Sequence, residues 1–275
     1  MRRVAVLVGA LLVLGCTSER VPASDASRAE IIASVFSGGA GRWVDLTHAF
    51  SSRSIYWPTD TLGFKLEQLA HGHTAGGWFY SSYRYSAAEH GGTHLDAPVH
   101  FAEGGWTNDQ IPLASLVGPA VVVDVTSRVQ PDYLLSVDDL TKWEAEHGRV
   151  PKGAIVLVRT GWDARYQDRA AYLGTALRGP DAVAQLHFPG VSAEAAQWLV
   201  DNRTIAALGI DTPSIDYGQS ADFRAHVILY KKNIPGFENV ANLATLPPVG
   251  GFVVALPMKI EGGSGGPLRI IGYVP

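Results

Sequence analysis

Ala120-Val121-Val122-Val123-Asp124-Val125 and, further along, Ala154-Ile155-Val156-Leu157-Val158 decide how this chain folds. A strand with one wet face alternates polar and apolar residues, so near-continuous β-branched runs predict strands buried on both faces. Between them, residues 136–146 carry helical periodicity, with Ser136 at the cap and Asp139 at the box position. The same grammar repeats outward: apolar runs at 205–210, 252–256 and 268–273, and a second capped helix over 192–201 that opens with Ser192 and Glu194. Residues 79–87 alternate, predicting a half-exposed strand. Strands alternating with helices, plus one alternating strand near the front, predict an α/β domain built on a mixed β-sheet with flanking helices.

The amino terminus reads differently. Arg2 and Arg3 precede an apolar stretch from Val4 to Leu14, far short of the roughly 20 residues a membrane span needs. It ends in Leu14-Gly15-Cys16, followed by Thr17, Ser18 and Glu19. This resembles the lipobox of exported bacterial lipoproteins, which implies a signal peptide over 1–15 and lipidation at Cys16. Thr17 after that cysteine implies the outer membrane of a Gram-negative envelope, on its periplasmic side. Cys16 is the single cysteine of the 275 residues, so no internal disulfide can form and stability must come from the core. Residues 16–41 are rich in Ser, Ala, Arg and Asp and close on Gly38, Gly39 and Gly41, as suits a tether with one short helix near 28–36. Residues 42–275 are expected to form one domain. A formal net charge of −4 without a Lys/Arg cluster argues against nucleic acid as a partner.

Glu89-His90-Gly91-Gly92-Thr93-His94-Leu95-Asp96-Ala97-Pro98-Val99-His100-Phe101 carries the chemistry. Paired glycines and Pro98 argue against a helix here. In an extended chain positions 90, 94, 96 and 100 share one parity, so all four polar groups are expected to face one pocket, with the glycines bending the backbone to converge them. Two imidazoles and a carboxylate suit Zn²⁺ or Mn²⁺ and leave a position for water. His100 is the candidate general acid/base, because an imidazole titrates near neutrality.

The run His-Gly-Gly-Thr-His-Leu-Asp-Ala-Pro-Val-His resembles the HxGTHxDxPxH signature of the cyclase family, which includes bacterial kynurenine formamidases and isatin hydrolases. The similarity extends through Trp57-Pro58-Thr59-Asp60, Gly209 to Asp216, and Glu238-Asn239-Val240-Ala241-Asn242-Leu243. The resemblance implies a swivelling β/β/α-type domain, His90, His94 and Asp96 as metal ligands, His100 as acid/base, and a homodimer or larger assembly. It implies two further ligands, His226 and Glu238, for one or two ions. The residues by themselves read His226 as a core position of a helix near 221–230 and Glu238 as a surface acid. Trp57 matches an aromatic that contacts substrate in the formamidases. Thr59 departs from the usual glycine, and residues 162–189 and Trp78-Phe79-Tyr80 exceed the compact formamidase pattern.

The implied reaction is metal-dependent hydrolysis of a small aromatic amide, lactam or lactone: N-formylkynurenine to kynurenine and formate, or opening of an isatin-like lactam. A reading of another class is a metal- or ligand-binding envelope lipoprotein without catalysis. His71 and His73 read as part of a solvated loop. Asp211, Ser214 and Asp216 follow an apolar strand and are expected to support the pocket. Ser214 lacks a nucleophile-elbow motif.

Overall fold

The computed structural model describes Glu30, residues 33–37 and residues 41–275. The expected signal peptide and Cys16 lie outside the described residues. Glu30 and residues 33–36 are helical, within the short helix expected there.

Residues 41–275 form a compact unit around a closed sheet. At its centre β5 (Val117–Asp124), β7 (Ile155–Arg159), β9 (Ala207–Ile210) and β10 (Gly236–Glu238) run parallel. β11 (Phe252–Pro257) joins antiparallel to β5, and β12 (Gly265–Val274) antiparallel to β11. β4 (His94–Asp96) pairs antiparallel with both β10 and β12, which closes the ring, while β1 (Arg42–Asp45) lies on β12 outside it and the two-residue β6 (Leu134–Leu135) and β8 (Gly190–Val191) pair parallel on their own. A mixed sheet is thus what the β-branched runs build.

The alternation of side chains explains why those runs are apolar throughout. Val121, Val123, Val156 and Val158 face an outer layer made by Leu140, Trp143, Ala195, Leu199 and Leu229. Their neighbours Val122, Ile155 and Leu157 point inward, onto Leu95, Phe237, Val253 and Ile270. The outer layer comes from α1 (Val137–His147), α3 (Ala193–Asn202) and α4 (Arg224–Tyr230), with the short α2 (Arg169–Leu173) elsewhere. Both capped starts are present: Ser136 Oγ accepts from Asp139 N at 3.2 Å while the Asp139 carboxylate accepts from Ser136 N at 2.8 Å, and Ser192 Oγ accepts from Ala195 N at 3.0 Å. Trp143 adds a tie between layers by donating its indole N–H to Val122 O at 2.8 Å.

Two expectations fail here. His71 and His73 belong to a strand, β2 (Lys65–His73), paired antiparallel with β3 (Phe79–Ser86) as a separate two-stranded hairpin. The alternation that would betray a strand is blurred because both faces of this hairpin are exposed, with Phe79 at 55% and its neighbour Tyr80, on the other face, at 52% accessibility. The extended run through 90–100 also fails at its end, because Pro98–His100 is a turn of 3-10 helix. Pro98 supplies the fixed φ that starts it.

Candidate metal centre

The centre is a cross-strand pair. β4 and β10 place Glu238 opposite His94, the closest side-chain relation an antiparallel ladder offers. Asp96, two residues on, shares the face of His94 and lies opposite glycine on both sides: Gly236 of β10 and Gly265 of β12. Those glycines are required. A Cβ at Gly265 would lie 2.5 Å from Leu95 O and 2.7 Å from the His90 ring, and one at Gly236 would lie 2.5 Å from the Tyr230 hydroxyl.

Helix α4 brings His226 in from the side. Its first turn is held by Asp216, whose carboxylate accepts from Ala225 N and His226 N, each at 3.1 Å, and lies 2.5 Å from His226 Nδ1. That leaves His226 Nε2 facing Glu238 Oε1 at 3.0 Å and Asp96 Oδ2 at 3.5 Å. Tyr230, one helical turn on, donates to Asp96 Oδ2 at 3.0 Å. His94 is oriented by its own turn, with Nδ1 3.0 Å from Gly92 O. His90 lies with Nδ1 2.7 Å from Asp96 Oδ1 and Nε2 2.9 Å from Ser264 Oγ. His100, despite the lost extended geometry, stacks on His90 with centroids 3.8 Å apart. The turn at Pro98 delivers it to the place that simple parity assigned.

The geometry fits a cation. His94 Nε2 is buried without a hydrogen-bond partner, yet it sits 3.1 Å from Asp96 Oδ1 and 3.3 Å from Glu238 Oε2. Donor atoms around one tetrahedral ion with bonds near 2.0–2.1 Å stand about 3.4 Å apart, and around an octahedral one about 3.0 Å. Atoms of His94, Asp96 and Glu238 all fall within 4.8 Å of one another, as do those of His90, Asp96 and His100. The electrostatics agree. Burial alone would lower His94, but the carboxylates of Asp96 and Glu238 outweigh it and hold the imidazole up to about 10. Burial opposes ionisation of Asp96 too, yet the surrounding histidines keep its carboxyl well below the ordinary range. Among the described residues no Lys or Arg lines this space, so the buried acids draw their balancing charge from imidazolium, a role a divalent ion would take over. His100 is set apart from these: burial, the largest influence, pushes it down to about 4, so near neutrality it is an uncharged acceptor.

A cavity of about 250 Å³ opens over these groups, walled by Trp57, Phe101, Phe223 and Ile55 and floored by the histidines. Phe223 holds a left-handed backbone at φ 49°, an unusual conformation for a bulky residue, just ahead of α4. Asn239 ties the walls together: its N–H donates to Thr212 O, its carbonyl accepts from Thr93 Oγ1, its amide donates to Gly92 O and its Oδ1 accepts from Tyr172.

The structure therefore brings His90, His94, Asp96, His100, His226, Glu238 and Trp57 around one cavity. Glu238 is not a surface acid; at 4% accessibility it is buried by strand pairing that its local sequence does not reveal. Ser214 lines the wall and Asp216 stands behind His226, while Asp211 instead holds Thr160 and Gly161 and pins the start of the 162–189 segment. Phe101, Phe223, Asn239 and Ser264 were missed. Phe101 adjoins the motif and Asn239 follows Glu238, which was the available signal; Ser264 offers none locally.

Comparison with known proteins agrees with this geometry. Residues 44–217 match the Cyclase family model, described as "Putative cyclase", and the chain belongs to that family. It is 38% identical over 198 residues to isatin hydrolase of Roseibium aggregatum, covering 68% of this chain and 72% of that protein. It is 29% identical to kynurenine formamidase of Salinibacter ruber, over 83% of this chain and 95% of the other. The solved isatin hydrolase A of Ralstonia solanacearum superposes with a TM-score of 0.79 at 36% identity, covering 94% of this chain and all of that one.

Proposed function

We propose that this chain is a metal-dependent hydrolase of a small, uncharged aromatic lactam of the isatin type. The observation that carries the choice is the cavity wall: Trp57, Phe101, Phe223 and Ile55 offer flat or apolar surface, and among the described residues no Lys or Arg lines it to pair with an amino-acid carboxylate. A fused aromatic ring loses little by entering such a slot, whereas formylkynurenine would leave a charged group unpaired.

His90, His94, Asp96, His226 and Glu238 are the side chains to hold the ion, as one site or two. Two or three imidazoles with carboxylates suit Zn²⁺ or Mn²⁺. When bound, such an ion polarises the scissile carbonyl and lowers the pKa of water from about 15.7 to about 7. Trp57 and the two phenylalanines orient the ring. His100, uncharged and facing the cavity, accepts the proton of the attacking water and returns it to the nitrogen as the carbon–nitrogen bond breaks, giving an anilinic amine and a carboxylate.

The remaining expectations belong to the same reading. Cys16 as a lipid anchor, with a signal over 1–15 and a tether over 16–41, is supported by the lipobox-like sequence and would place the enzyme in the envelope, on the periplasmic side of the outer membrane. A homodimer or larger assembly is supported by the β2–β3 hairpin, whose exposed Trp78, Phe79, Tyr80, Tyr83 and Tyr85 suit burial against a second copy.

The test is hydrolysis by the purified chain lacking residues 1–16, reconstituted separately with Zn²⁺ and Mn²⁺, with isatin and N-formylkynurenine assayed side by side. Preferred, metal-dependent opening of isatin supports the proposal. Preference for formylkynurenine would overturn the lactam assignment, and stoichiometric metal without turnover of either would favour a binding role.

A further inference from the structure

Ser264 and Glu89 lie outside the cavity wall, on the far side of His90 from the carboxylates. Ser264 immediately precedes β12, 174 residues from His90, and its Oγ lies 2.9 Å from His90 Nε2. Glu89 Oε2 lies 2.6 Å from Ser264 Oγ and also accepts from Ser264 N at 3.0 Å. A carboxylate only accepts, so the single hydroxyl proton of Ser264 is committed to Glu89. Toward His90 the serine oxygen can then only accept, which places the proton of a neutral His90 on Nε2. Its Nδ1 lone pair faces Asp96 Oδ1 at 2.7 Å. Two acceptors aimed at each other are satisfied by a cation that both bind.

The other two histidines are held the opposite way round. His94 Nδ1 faces Gly92 O and His226 Nδ1 faces Asp216, so both present Nε2 to the centre. Only His90 presents Nδ1, and only its outer nitrogen depends on a side chain so distant in sequence. We propose that Ser264, oriented by Glu89, is a positioning residue that fixes His90 as the Nε2–H tautomer, so that His90 binds the ion through Nδ1. The proposal rests on the metal-centre reading above. Outer hydrogen bonds to ligating histidines typically change metal affinity by about 10–100-fold when removed.

The experiment measures Zn²⁺ affinity of the purified protein by competition with a chromogenic chelator, together with nitrogen-15 histidine NMR of the Zn²⁺-loaded protein. The variants are Ser264→Ala, Ser264→Thr and Glu89→Gln. Ser264→Ala is expected to weaken Zn²⁺ by about 10–100-fold and to lose the exchange-protected Nε2–H signal of His90. Ser264→Thr, which keeps the hydroxyl, should restore both. Glu89→Gln should weaken binding as well, because an amide can donate to Ser264 and turn its proton toward His90. Unchanged affinity and an unchanged His90 signature in folded Ser264→Ala or Glu89→Gln overturns the proposal while leaving the metal centre intact. Failure of the parent protein to bind Zn²⁺ or Mn²⁺ overturns the metal centre itself, and this assignment with it.

Discussion

The antiparallel pair β4–β10 and the hairpin β2–β3 use the same backbone ladder and have opposite surroundings. The first is three residues on each strand and buried on every side; the second is nine and eight residues and exposed along most of both faces. The shorter ladder holds three polar side chains, His94, Asp96 and Glu238, within contact of one another, because the barrel packs its flanks and glycines clear the space between. The longer one carries no such cluster among the described residues. Ladder hydrogen bonds exchange for water at little net gain, so register and burial, rather than ladder length, determine which pair becomes a site.

That contrast can be broken at graded cost. His94→Ala should remove bound metal and turnover together, seen as loss of zinc by elemental analysis alongside a null assay; retained turnover would separate the pair from the chemistry. His100→Ala should keep stoichiometric metal and lose about 10²–10⁴-fold in kcat, because proton transfer alone is removed. Chelation should lower unfolding free energy by about 4 kcal/mol relative to protein held at a thousandfold excess over Kd, read from denaturant melts, with no change in hairpin protection by hydrogen exchange. Gly265→Ala should cost about 1–3 kcal/mol and weaken metal binding, since the new methyl meets Leu95 O and the His90 ring. Smallest of all, Phe79→Ser in the hairpin should shift the unfolding of the isolated chain by no more than about 0.5 kcal/mol while shifting the mass distribution in light scattering toward monomer. A large stability loss there in dilute protein would show that the hairpin packs on its own body.

Much of this molecule is legible from sequence for one reason: central strands buried on both faces cannot hide. The runs beginning at Ala120 and Ala154 announce β5 and β7, and Ser136 and Ser192 announce the helix starts because capping chemistry is local. The motif histidines stand out by density. Glu238 does not, since its burial follows from pairing with residues more than a hundred positions away, and only family resemblance linked it to His226. His71 and His73, at the end of β2, read as loop because Gly72 interrupts a strand that has no core side to impose alternation. Ser264 lies in a glycine-rich stretch that advertises a turn and nothing more.

Closure of the barrel by β12 sets an order of events during synthesis. β4 carries His94 and Asp96, but Gly265, which flanks Asp96, opens the last strand of the sheet, and Ser264, which flanks His90, immediately precedes it. A nascent chain therefore exposes its ligands long before it can arrange them, and contacts this distant in sequence form late. The residues that arrange the cluster are thus all in place only once the final strand docks, however early its histidine-rich segment emerges.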